Sequence, residues 1–333
     1  MSNYYKNKLE TIKDIFDTGE VILGSDCLFI KDKSYPIIND VIILLDESKY
    51  SDYISNYFQV NKNDLINNPS FSKDIQSSFG DEWTYYEKIL EEYEQEFEQY
   101  FDLVDISALK NKRVCDLGCG NGRWSFMLQN QCRELILIDF SDAIFTARKN
   151  LVESDKCLFF MGDLKDLPFR NNFSDFLYCL GVLHHLPTSC LEEVRNIKRY
   201  APHALFYLYY DLDNRPIYYK AIMVVITLLR KYLCKIKNIK TRIVLSKLGV
   251  YTMYYPLILV GHLFRPLCLD KYVPLYEFYQ NKSTERIEQD FYDRFFTCIE
   301  QRVTRNDIKK LETSFEDVVI SDNIPYWHFI CKR

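Results

Sequence analysis

Eleven cysteines in 333 residues contain no Cys-x-x-Cys pair, so neither a zinc ribbon nor a disulfide framework is indicated. Their odd number, and the lack of a secretory leader in Met1-Ser-Asn-Tyr-Tyr-Lys6, predict a reducing cytoplasm, with membrane association kept open. A clear membrane span is also missing. Leu248 to Phe264 runs 17 residues without a charge but includes Gly249, Pro256, Gly261 and His262, whereas a span takes ~20 strongly apolar residues. Acid is absent from Arg215 to Leu269, which holds ten Lys or Arg and no Asp or Glu. Subtracting those ten from the net charge of −5 leaves −15 on the rest of the chain. The length suits one α/β domain plus an appended unit of comparable size.

What is present centres on Val-Cys-Asp-Leu-Gly-Cys-Gly-Asn-Gly-Arg-Trp, residues 114 to 124. Arg113 to Leu117 reads as a buried strand, Gly118, Gly120 and Gly122 break it, and Arg123 to Asn130 reads as a helix. Strand, glycine turn and helix form the place where an open α/β sheet brings a ligand against backbone amides. A glycine turn alone also suits a dinucleotide. Here the spacing is Gly-x-Gly-x-Gly, and Asp116 stands two residues before the first glycine. An anion has no use for that carboxylate, whereas an ammonium group does. S-adenosylmethionine (SAM) has an amino-acid tail, a ribose and an adenine, and no phosphate.

Three further strands end in polar residues. Leu135 to Asp139 ends in an acid 19 residues beyond Gly120, placed for two ribose hydroxyls, which would suit NAD equally. Leu158 to Asp163 ends in an acid suited to the adenine amine. Asp175 to Leu180 runs into Gly181-Val-Leu-His184-His185-Leu-Pro187. Four such strands describe one crevice.

In VCDLGCGNGRW, LILIDFSDAI, MGDLKDLPF and DFLYCLGVLHHLP, in this order, the chain resembles the class I SAM-dependent methyltransferases, and within them the small-molecule branch that includes quinone methyltransferases. The resemblance covers roughly residues 110 to 210. It implies a seven-stranded Rossmann-like sheet with helices on both faces. It also implies that Asp116, Gly118, Cys119 and Gly120 hold the methionine end of SAM, Asp139 the ribose, and Asp163 with Leu164 the adenine. By the same resemblance Phe140 would lie against one face of the base and Leu180 would line the donor site. Gly181 departs from many relatives, which carry a larger or polar residue there; a more open sulfonium neighbourhood is expected. The Asn/Asp-Pro-Pro-Tyr/Phe signature of base-modifying relatives is missing after the fourth strand, and with an isoelectric point of about 5.7 this disfavours a nucleic-acid acceptor.

Around this core (81–210) the expected parts are a small β and helical appendage (1–80), a basic helical cap insertion (211–300), and a last helix with strands six and seven (301–333). The appendage faintly resembles a zinc-ribbon end in which only Cys27 is left, so no metal is expected. Residues 82 to 101 show a helical period, with Tyr86, Leu90, Tyr93, Phe97 and Tyr100 or Phe101 on one face and Glu87, Glu91, Glu94 and Glu98 opposite. Trp83, just before it, is a candidate lid residue over SAM. The insertion follows the fifth strand, where a chain emerges over the ligand crevice. Its helices, around Ala221 to Leu229 and Leu248 to Phe264, read either as faces packed on each other or as a surface that touches an anionic membrane through 215–269.

Methyl transfer from a sulfonium needs mainly placement, worth effective molarities of ~10⁵ M or more. A hydroxyl acceptor must also lose a proton, and His184 and His185 are the candidate bases. Against that stands the reading that they only line the donor pocket. Ser189 and Glu192 form an expected capping box behind them. Glu300 and Arg302, two apart, either contact the acceptor or form an ion-paired hinge, and Tyr326 and Trp327 are pocket wall or core. The resulting expectation is a SAM-dependent methyltransferase acting on oxygen of a small or lipid-linked acceptor, such as a surface-glycan or polyketide-like hydroxyl. Alternatives are C-methylation of a quinone-type ring and a SAM-binding partner without turnover. The oligomeric state is not readable.

Overall fold

Every long apolar run before residue 211 is a strand of one sheet. The computed structural model describes residues 4–60, 71–323 and 326–333, so Met1 to Asn3 of the leader reading and Ile324-Pro325 of the last turn lie outside the described residues. Its strands are β1 (Val21–Leu23), β2 (Cys27–Ile30), β3 (Lys33–Ile38), β4 (Val41–Ile43), β5 (Arg113–Leu117), β6 (Glu134–Asp139), β7 (Cys157–Met161), β8 (Phe176–Leu180), β9 (His203–Leu208), β10 (Asp317–Ile320) and β11 (Trp327–Lys332). They line up as β1-β2-β3-β4-β7-β6-β5-β8-β9-β11-β10. Strands β7, β6, β5, β8 and β9 are parallel, and β11 is antiparallel to both β9 and β10. This is the Rossmann-like methyltransferase sheet, of mixed α/β class. Strands β5 to β8 are buried at every position but Glu134, as a sheet covered on both faces requires.

The N-terminal strands differ from a detached ribbon-like unit. β1 to β4 form an antiparallel meander, and β4 pairs in parallel with β7, so they widen the seven-stranded sheet to eleven. The reason is an apolar β4, Val41 to Ile43, whose three residues are all buried beside Phe160 and Met161. The turn before it, Asn39-Asp40, has φ of 48° and 62°, left-handed geometry that Asn and Asp tolerate.

The helical period over 82 to 101 is interrupted. Helices Lys73–Tyr85 and Glu92–Tyr100 are separate, and Tyr86, Tyr93 and Phe101 are buried while Glu91, Glu94 and Glu98 face solvent. The capping box at Ser189 is also absent, because the Ser189 side chain makes no cap bond. Gln301 takes that role, its Oε1 accepting from Cys190 N at 3.0 Å.

The chain divides into two compact units, Met1–Asp211 with Ile299–Arg333, and Leu212–Cys298. The second is helical: Ile217–Leu233, then Ile239–Gly249 running through a π turn at Val250–Tyr254 into Tyr255–Phe264, and Thr284–Phe296. Its interior is aromatic, with Tyr254, Tyr276, Tyr279, Phe291, Tyr292, Phe295 and Phe296 buried. Cys234 and Cys298 form a disulfide, with Cα atoms 5.2 Å apart. No thiol pairing was expected from the sequence. The partners are 64 residues apart and meet only after the helices pack.

Candidate active site

Order reverses between β5 and β8, since the chain leaves β5 for β6 on one side and returns to β8 on the other. Such a switch point opens a crevice at the strand C-termini. All four acid- or glycine-tipped ends meet there.

At the end of β5 the turn is held open by glycine. Gly118, Gly120 and Gly122 have φ of 84°, 54° and 78°. A Cβ on Gly118 would lie 2.4 Å from Val182 Cγ2, and one on Gly120 would lie 2.9 Å from the Trp83 ring. Trp83 therefore lies against the glycine turn itself, with the Arg123 guanidinium 4.9 Å from its ring centre. Cys119 is buried behind the turn, and burial raises its thiol pKa well above the ordinary value.

Asp116 is enclosed. Ser125 Oγ donates to its Oδ2 at 2.6 Å and lies 2.9 Å from the Tyr178 hydroxyl. Tyr178 stands opposite Asp116 in the β5–β8 register, which puts both side chains on one face. Burial raises the Asp116 pKa to about 7, against the hydrogen bonds from Ser125 and Tyr178. Between pH 4 and 7 the folded chain thus keeps a proton that the unfolded chain has lost. Stability from this group increases as pH falls from about 7 towards 4 and is lowest above 7, where both states are ionised. An ammonium ligand needs the ionised form. We expect SAM affinity to fall up to about tenfold per pH unit below pH 7, a slope that Asp116→Asn removes, with calorimetric titration from pH 5.5 to 8 as the check.

Asp139, at the tip of β6, is tied into the same loop. Its Oδ2 accepts from Gly120 N at 2.9 Å, and its Oδ1 from Ser141 N at 2.9 Å and Ser141 Oγ at 2.7 Å. A carboxylate offers about four acceptor sites, and the Ser141 hydroxyl can rotate away, so room for a diol remains.

Beyond β7, Asp163 meets a partner that sequence reading missed. Lys49 Nζ lies 3.1 Å from Asp163 Oδ2, and Lys165 N donates to Oδ1 at 3.1 Å. Burial opposes the Lys49 charge, yet Asp163 and Asp166 keep its pKa above the usual value. Gln76 braces the arrangement, its Nε2 donating to the carbonyls of Lys49 at 3.0 Å and Phe140 at 2.6 Å. Phe140, Asp163, Lys165, His185, Leu186 and Ile75 line one pocket. Leu164 and Leu180 are buried beneath the crevice.

The His pair follows β8. His184 is fully buried, stacked on Tyr209 with ring centres 3.8 Å apart, and its ring nitrogens have no hydrogen-bond partner among the described residues. Burial, then His185 and Arg302, push its pKa well below the usual value, so it stays neutral. His185 Nδ1 is 2.8 Å from the Ile299 carbonyl. A carbonyl only accepts, so Nδ1 carries the proton and Nε2 is the basic nitrogen. The returning segment clamps this loop: Gln301 N donates to the His184 carbonyl at 2.8 Å, and Gln301 Nε2 to the carbonyls of Leu186 and Thr188. Gln301 was absent from the sequence candidates, because a lone Gln in a loop carries no pattern.

Glu300 and Arg302 are paired with each other, at 2.8 Å and 2.7 Å through Nε and Nη2, and Arg302 also donates to the Tyr210 carbonyl. The two side chains thus form an ion pair on the returning segment. Tyr326 sits beside the rings of Tyr207 and Tyr210, and Trp327 is core. At Gly181 an added Cβ would meet nothing nearer than Tyr207 at 4.0 Å. Among the described residues no cluster of three or more His, Cys, Asp or Glu is arranged to hold a metal ion.

Residues 114–201 match the family model for a methyltransferase domain. A tRNA U34 carboxymethyltransferase of Trichodesmium erythraeum is 31% identical over 99 residues, 28% of this chain and 30% of that protein. One of Aliarcobacter butzleri is 36% identical over 84 residues, 24% and 27% of the two chains. The chain thus spans less than a third of these relatives. The structure of the mitomycin 7-O-methyltransferase MmcR aligns with a TM-score of 0.40 at 14% identity, over 72% of this chain and 53% of that one. Donor chemistry fits the crevice: a glycine cradle that any side chain would fill, a buried acid for an ammonium, and acids at two further strand tips. Residues 114–201 thus form a methyltransferase domain, and that family implies S-adenosylmethionine as the methyl donor.

Proposed function

We propose that the protein transfers a methyl group to a hydroxyl of a small or lipid-linked acceptor, such as a surface-glycan or polyketide-like hydroxyl, in the cytoplasm. The observation that carries this reading is His185. Its ring lines the same pocket as Phe140 and Asp163, with Nδ1 donating to the Ile299 carbonyl. Bound SAM supplies an activated methyl on a sulfonium. The chain's own residues then have three tasks. The glycine turn and Asp116 hold the amino-acid end, Asp139 holds the ribose, and His185 takes the acceptor's proton. During transfer of the methyl group to the acceptor oxygen, His185 would take up the hydroxyl proton. A base of this kind contributes about 10²–10⁴-fold. His184, neutral and enclosed against Tyr209, backs the His185 ring at 4.2 Å between centres. Glu300, Arg302, Tyr326 and Trp83 are proposed to border the acceptor.

A second reading comes from the relatives, whose names place their acceptor at U34 of tRNA. It is supported by the shared donor-binding segment. It is weakened by the absence of a base-gripping motif after β8, where the chain runs into Gly181-Val-Leu-His-His.

Calorimetry with SAM, S-adenosylhomocysteine and NAD comes first, then transfer of labelled methyl to lipid-linked glycans, quinols and tRNA. Label on a glycan or polyketide-like hydroxyl, with kcat about 10²-fold lower in His185→Gln and SAM affinity kept, is the expected result. Label on tRNA or on a quinone carbon overturns the hydroxyl assignment. SAM binding with no transfer to any acceptor supports the reading of a partner without turnover.

A further inference from the structure

The inserted unit is apolar on the side that should be polar. In the helix Ile217–Leu233 the inward stripe holds Ile226, Arg230 and, one turn on, Cys234. Its other faces are just as apolar, with Ile222, Val224, Val225, Leu228 and Leu229 between 40% and 60% exposed. The helical run Ile239–Leu267 repeats this: Val244, Leu248, Tyr251, Leu259, Leu263 and Leu267 are all more than half exposed. A helix that is hydrophobic all round belongs in a protein interior or in lipid, not in water. Scattered exposed leucines are ordinary; two helices of them in one unit are not.

Charge selects the occupant. Lys220, Lys231, Lys235, Lys237, Lys240, Lys247 and Arg265 are exposed on these helices and the link between them, and the whole stretch from Arg215 to Leu269 has no acid. The unit's acids are gathered elsewhere, chiefly on Thr284–Phe296. A second copy of the chain would bring the same positive charge to the contact. RNA would use the lysines and leave the Val and Leu faces in water. An anionic bilayer satisfies both, taking apolar side chains ~5–10 Å deep and Lys heads at the phosphates.

We propose that helices 217–233 and 239–267 form a surface that seats the protein on an anionic lipid leaflet. It lies in the interface and does not span. By length and composition Ile239–Leu267 could cross a bilayer. However, Lys240, Arg242 and Lys247 occupy its first third, and the uncharged remainder of 17 residues is interrupted by Pro256 and His262. The inference does not depend on which acceptor is methylated.

The test is flotation of the full chain with vesicles of phosphatidylcholine, pure or mixed equally with phosphatidylglycerol. Expected is at least about tenfold greater recovery with the anionic vesicles, lost in molar salt. The double variants Leu228→Glu with Leu263→Glu and Lys231→Glu with Lys235→Glu should each lose flotation while binding SAM as before. These positions are solvent-facing, and an unchanged helical circular-dichroism signal together with retained SAM binding reports an intact fold in both units. Flotation that ignores lipid charge, resistance to both salt and alkaline carbonate, a dimer that stays off vesicles, or binding to tRNA without flotation would each overturn the proposal.

Discussion

Gly118→Ala should abolish measurable SAM binding and lower the melting temperature by roughly 5–15 °C. Two costs combine. The backbone at 118 has φ of 84°, a left-handed conformation that costs an L-residue about 1–2 kcal/mol. The new Cβ would sit 2.4 Å from Val182 Cγ2 and 2.9 Å from Cγ1, so the turn or the loop after β8 must move, at about 1–3 kcal/mol. Either movement matters to the site. Gly118 N and Cys119 N both donate to the Ile138 carbonyl, at 2.7 and 3.1 Å, and this joins the turn to the tip that carries Asp139. Val182 in turn precedes the His pair. Thermal unfolding and calorimetry on Gly118→Ala, Val182→Ala and the double variant separate the two costs. The double variant should recover the packing part of the stability loss but not the part due to φ. Wild-type SAM affinity in Gly118→Ala alone would show that the turn is not the donor cradle.

The second large effect is at Asp139. Asp139→Ala is expected to weaken SAM about 10²-fold or more, since two hydroxyl hydrogen bonds to a carboxylate are worth about 1.5–3 kcal/mol each. It also leaves the buried Gly120 and Ser141 amides without the acceptor they now have, a further cost of about 1–3 kcal/mol apiece in fold stability. Asp139→Asn keeps the shape and one acceptor oxygen. It should recover part of the stability and little of the affinity, because its amide must turn an N–H₂ towards either the Gly120 amide or the ligand. Titration with SAM, S-adenosylhomocysteine and adenosine checks the assignment. A variant that loses adenosine and SAM affinity in the same proportion fits a ribose contact. One that loses SAM only, with adenosine unaffected, would move Asp139 to the methionine end.

Much of this could be read from one dimension. Strands β5 to β8 announce themselves as short apolar runs, and glycine or acid at each tip marks the crevice edge, because a parallel strand buried on both faces must be apolar until its end. The acids Asp116, Asp139 and Asp163 were found by their place in those runs. What the linear pattern could not hold was anything that depends on two segments meeting. Lys49 on Asp163, Tyr178 and Ser125 on Asp116, Gln301 under the His pair, and the Cys234–Cys298 bond join residues 9 to 115 positions apart. The single helix read over 82 to 101 failed for a related reason, since periodicity registers which face is apolar and not whether the backbone continues.

The sequence by itself therefore determined the sheet, the donor and the acids at the strand tips, because burial and glycine geometry are local demands written at each position. Only the tertiary structure decided that β1 to β4 extend the main sheet. The same is true of Asp116, whose pKa burial raises to about 7, and of the His pair, in which His184 is enclosed while His185 reaches the pocket. Register, burial of charge and hydrogen-bond partners are properties of pairs, and a pair exists only once the chain has folded.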